Sequence, residues 1–146
     1  MHPFDLKTIL LAKHAQHVVL IHFPIALFII GVGFDLWAQW TKNPFTAGAA
    51  RYNLIAAAIA TPPVMVTGVL AWLWALGAPR IKGILLLHLA TAVIAGLLMM
   101  AVGWLHFRMR PLTRPLPGYR LPLEVVTVAL VGLTAHLGGF LSGVAQ

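Results

Sequence analysis

Four stretches in which apolar residues run almost unbroken dominate the chain, at about residues 17–40, 52–78, 83–107 and 121–144. Each reaches the roughly 20 residues that a helix needs to cross about 30 Å of hydrocarbon. The pattern predicts an all-α integral membrane four-helix bundle, one four-span domain over residues 1–146. Ahead of the first span, Leu6, Ile9, Leu10 and Leu11 are mixed with Asp5, Lys7 and Lys13, too short and too charged to cross, which predicts a short interfacial helix. The first span lacks the small-residue cleavage site of a secretory signal and runs on into Trp37 and Trp40, so it is expected to be retained.

The breaks between spans are equally local. Lys42, Asn43 and Pro44 end the first, and a tight turn over residues 77–82 ends the second. Pro111, Pro115 and Pro117 crowd the loop before the fourth, and Pro122 follows at its start. Pro62 and Pro63 stand in the middle of the second span, where a missing donor and a ring clash predict a kink. Trp37, Trp40, Trp72, Trp74 and Trp104 fall near span ends and read as boundary anchors.

Composition narrows the class. Hydrophobic residues at 60% and a mean hydropathy of +0.91 exclude an ordinary soluble domain. A net charge of +7 would point to nucleic acid in a soluble protein, but here Lys and Arg gather at span ends, where lipid headgroups and topology account for them. The lipid bilayer is the expected partner and nucleic acid is not. The side holding both termini, side A, carries Lys7, Lys13, Arg80 and Lys82; side B carries Lys42, Arg51, Arg108, Arg110, Arg114 and Arg120. The excess on side B places it in the cytoplasm and both termini on the outer face. Without cysteine the chain has no disulfide, no thiolate metal site and no covalent haem attachment.

Candidate chemistry rests on histidine. His22, His88 and His136 fall inside three different spans, roughly 8–12 Å from the side A ends at 1.5 Å per residue. His106 lies 18 positions beyond His88, about 27 Å away and toward side B. His17, five residues before His22, projects about 140° from it and is expected at the interface with His14. Imidazoles from separate helices at one depth in an apolar, cysteine-free bundle suit one b-type haem with two axial histidines, an electron-transfer centre. The small residues Gly138 and Gly139 would give the macrocycle room. Histidine hydrogen bonding across the bundle is the plainer alternative, worth about 0.6 kcal/mol. A zinc site lacks a carboxylate in that layer, and three acidic residues in the whole chain leave no hydrolytic constellation. Asp35, near the far end of span one, calls for a partner among Arg51, Arg108 and His106, whereas Glu124 is expected at the headgroup boundary.

The stretch His17-Val-Val-Leu-Ile-His22-Phe23-Pro24-Ile-Ala-Leu, followed by Phe34-Asp35-Leu36, resembles the first helix of a bacterial membrane-protein family catalogued as domain of unknown function 2231. Val64 to Trp72, His88 early in the third span, and Leu137 to Gly139 are similar to its later helices. The resemblance implies four spans and, because relatives are joined to Rieske-type or c-type cytochrome modules, membrane electron transfer. His17, His22, His88 and Asp35 match the family pattern, whereas His136 replaces an apolar or aromatic residue, which favours His22 and His88 as the axial pair. The expectation is a cytochrome b-like haem-binding anchor in a bacterial inner membrane, with periplasmic termini, linking the quinone pool to membrane or periplasmic redox subunits. The second reading is a cofactor-free anchor or assembly subunit of a larger respiratory complex, and the third a small transporter.

Overall fold

The computed structural model describes residues 15–74, 76–109 and 117–142. Among them it contains four helices and no strand: α1 (Ala15–Thr41), α2 (Pro44–Trp74), α3 (Gly83–Arg108) and α4 (Arg120–Leu141). All four are long and apolar enough to cross a membrane. The expected N-terminal interfacial helix lies outside the described residues.

Local chemistry places the helix ends. Thr41 closes α1, Lys42 takes a left-handed φ of 54°, and Asn43 caps α2 by accepting the Phe45 N–H at 2.9 Å. Pro44 then fills the first helical position, where its missing N–H costs nothing. That cap explains why α2 starts at Pro44 rather than near Tyr52. The helix passes through Pro62 and Pro63 without interruption to Trp74, both rings lying on its exposed side. Gly77 and Ala78 turn the chain with φ of 71° and 51°, and Trp72 Nε1 donates to the Pro79 carbonyl, closing the turn.

α1 packs along α2, α2 along α3 and α3 along α4, while α1 meets α4 over a short stretch only. Small residues set the close approaches. Gly103 lies against Ala58 and the Leu54 carbonyl, Gly96 against Met65, and Gly31 against Leu54. Phe28, Val32, Leu54, Ala57, Ala95, Met99, Val102 and Val131 form the buried core. Around it Val19, Phe23, Ile59, Val66 and Leu97 among others stand exposed, which suits a chain whose solvent is lipid. Exposed Trp40, Trp74 and Trp104 lie near the helix ends, and Arg108 sits 5.5 Å over the Trp104 ring.

Candidate functional site: two polar layers on one core face

Ionisable side chains gather near the two ends of the inward helix faces, with apolar residues and threonines between. On α1, His17 and Asp35 are 18 residues apart, five full turns, and so share a face; on α3, His88 and His106 have the same spacing. Arg120 and Gly138 repeat it on α4. The result is two polar layers about 27 Å apart along the bundle, with the apolar core between.

The side A layer holds two imidazoles with one nitrogen each fixed. His88 Nδ1 lies 3.0 Å from the Thr134 carbonyl of α4, and His17 Nδ1 lies 3.1 Å from Thr67 Oγ1 of α2. A carbonyl only accepts, so His88 carries its proton on Nδ1. Thr67 already donates its hydroxyl proton to the Val64 carbonyl, so it too accepts, and His17 carries its proton on Nδ1. Both rings therefore present a lone pair at Nε2. Glycine backs each of them: a Cβ on Gly68 would stand 3.0 Å from His17 Cε1, and one on Gly138 would stand 3.1 Å from His88 Cε1. The inward face here is only half-buried at His17, Val64, Gly68, His88 and Gly138, while the same face toward side B is closed.

This arrangement corrects the expected ligand pair. His22 stands 140° from His17, on the exposed flank of α1, its Nδ1 held 2.6 Å from the Val18 carbonyl of its own helix. His136 is also exposed, half a turn from the inward face of α4, with its ring edge-on to Phe140 at 4.9 Å. Neither faces His88. His17, expected at the interface, occupies the inward position instead. Gly139 has open space beside it, so of the two glycines expected to make room only Gly138 meets an imidazole.

The side B layer is fully buried. Arg120 clamps Asp35 with two hydrogen bonds, Nε to Oδ2 at 2.8 Å and Nη2 to Oδ1 at 3.3 Å, and also donates to the Gln39 amide oxygen. His106 Nε2 and Glu124 Oε1 are 2.8 Å apart. Arg51 of α2 closes the layer from outside, its Nε donating to the His106 carbonyl in the last turn of α3 at 2.9 Å. Among the described residues, Glu124 Oε2 is the one buried side-chain oxygen or nitrogen without a partner. The expected partners of Asp35 give way to Arg120, and Glu124, expected at the headgroup boundary, is 0% exposed. One ligating atom each from Asp35, His106 and Glu124 fall within 4.8 Å of one another. Neither Arg120 nor Glu124 stood out in the sequence, because both sit at the start of a helix directly after a proline-rich loop. Their register is the signal: Arg120 and Glu124 share the face of Thr127, Val131 and Thr134.

No curated protein and no solved structure matches the chain. A family model described as "Predicted membrane protein (DUF2231)" matches residues 13–145, nearly the whole length. With four apolar helices able to span a bilayer and a family match of that extent, the chain belongs to the DUF2231 family of predicted membrane proteins.

Proposed function

We propose that this protein is a membrane electron-transfer subunit and that a b-type haem would be held by His17 and His88. The observation that carries this reading is the side A layer: two inward imidazoles on different helices, each locked through Nδ1, each with its Nε2 lone pair free. Ligating histidines are commonly oriented in this way, by a bond from the second nitrogen to a carbonyl or similar acceptor. The donor set fits haem iron, and with no cysteine or carboxylate in that layer it suits a closed four-ligand zinc site poorly. When bound, such a group supplies one-electron transfer. His17 and His88 would bind and orient it, Thr67 and Thr134 would hold the tautomers, and the apolar core would keep water from its inner edge.

Quinone and an outer-face redox subunit remain the proposed exchange partners, in a bacterial inner membrane. With Arg120 paired to Asp35, side B has five other basic residues against four on side A; this surplus favours placing the imidazole layer outward. A cofactor-free anchor is the second reading. Gly33, Gly132 and Gly139 favour it, since each opens onto free space where a partner helix can approach.

Purified protein is expected to give a reduced-minus-oxidised haem b spectrum. It should vanish in His17→Ala and in His88→Ala and persist in His22→Ala and His136→Ala. A folded wild-type protein without haem absorbance overturns the proposal and leaves the anchor reading.

A further inference from the structure

We propose that Glu124 is a proton-binding site: a neutral carboxylic acid whose O–H donates to His106 Nε2 and whose proton exchanges with water on side B. Asp35 on α1 and Arg120 on α4 cancel, and Gln39 adds only an amide. Among the described residues, Arg51 on α2 donates to the His106 carbonyl and Arg108 at the end of α3 stacks over Trp104. Neither has a hydrogen bond to Glu124 among the described residues. An ionised Glu124 beside a neutral His106 would leave the buried cluster of Asp35, Arg120, His106 and Glu124 one negative charge in excess.

The orphan oxygen locates the proton. A carboxylate buried at 0% exposure with no donor on Oε2 carries an unsatisfied charged atom, the most expensive kind of buried polar group. Protonating the group removes the excess charge, keeps a donor in the 2.8 Å contact with His106 Nε2, now the acid O–H, and turns Oε2 into a weakly polar carbonyl oxygen. A divalent cation answers the same geometry less well. Both Asp35 oxygens are already taken by Arg120, and a second positive group beside that guanidinium would reverse the imbalance rather than remove it.

Access is one-sided. Glu124 lies four residues into α4 and His106 two residues before the end of α3, about 3–6 Å from the side B helix ends. Toward side A the path is blocked by Phe28, Leu54, Val102 and Val131, all buried and apolar. The site can therefore load and unload a proton on side B without conducting it across. It lies in the opposite layer from the imidazole pair and does not depend on haem.

Glu124 is the only glutamate in the sequence, so glutamate labelled with ¹³C at the side-chain carboxyl reports on this residue alone. In the intact protein in lipid nanodiscs, infrared and ¹³C spectra at neutral pH are expected to show the protonated acid. The acid band should shift in D₂O and convert to carboxylate as the pH is raised. In His106→Phe the band should move to the frequency of an acid without an acceptor. A carboxylate signal at neutral pH in the wild type overturns the proposal, and this measurement needs no variant to fold. An acid band unmoved by His106→Phe overturns the assignment of His106 as acceptor.

Discussion

Asp35→Ala is expected to destabilise the bundle by about 3–5 kcal/mol, the largest loss of any single substitution in the side B layer. Arg120 would then hold a buried guanidinium with only Gln39 for company, on the short stretch where α1 meets α4. The cost belongs mainly to the stranded charge rather than to the lost attraction. Replacing both partners by apolar groups of similar size, Asp35→Leu with Arg120→Met, is therefore expected to recover most of the loss. Denaturant titration in mixed micelles of the wild type, Asp35→Leu, Arg120→Met and the double variant measures this as a double-mutant cycle. A single substitution that costs under about 0.5 kcal/mol, the range of an ordinary surface change, would show that the pair does not hold α1 to α4.

The four spans were legible because lipid demands long apolar runs, and the chain has four. The faces of those helices were not, for the same reason. In a soluble bundle the polar side of each helix marks the surface, but here Val19, Phe23, Ile59 and Leu97 are exposed to lipid and are as apolar as the core. Only the rare polar residues carry orientation, and each alone is ambiguous. His22 sits deeper in the apolar run than His17 and within the distinctive HFPIAL stretch, which drew the ligand assignment to it. Yet its Nδ1 is satisfied one turn back by the Val18 carbonyl, so an imidazole there can face lipid without any partner across the bundle. Pairs resolve what single residues cannot. The shared 18-residue spacing of His17 with Asp35 and of His88 with His106 puts each pair on one face of its helix, and it was available from the sequence. The pairing of Arg120 with Asp35 was not, since it depends on which helices become neighbours.

Gly103→Leu is expected to separate α2 from α3 and to cost stability at or above the upper end of the roughly 1–3 kcal/mol typical of overpacking. A Cβ at Gly103 would collide with Ala58 Cβ and come within 2.9 Å of the Leu54 carbonyl oxygen. Neither obstacle can rotate away, because one is the first atom of a side chain and the other is backbone. The helices would have to part, and the consequence would spread: His106 lies one turn further along α3, held to Glu124 on one side and to Arg51 on the other. Gly139→Leu provides the contrast, since nothing stands within 4 Å of the added Cβ and the side chain would project into lipid. Thermal unfolding of both variants in the same lipid is expected to show a large loss for Gly103→Leu and little change for Gly139→Leu. If Gly139→Leu leaves the isolated chain stable but prevents its assembly with other subunits, the outer glycine face is a docking surface and the anchor reading gains its first direct support. Equal stability of Gly103→Leu and wild type would mean that α2 and α3 do not approach as closely as described, and the two polar layers built on that contact would lose their common register.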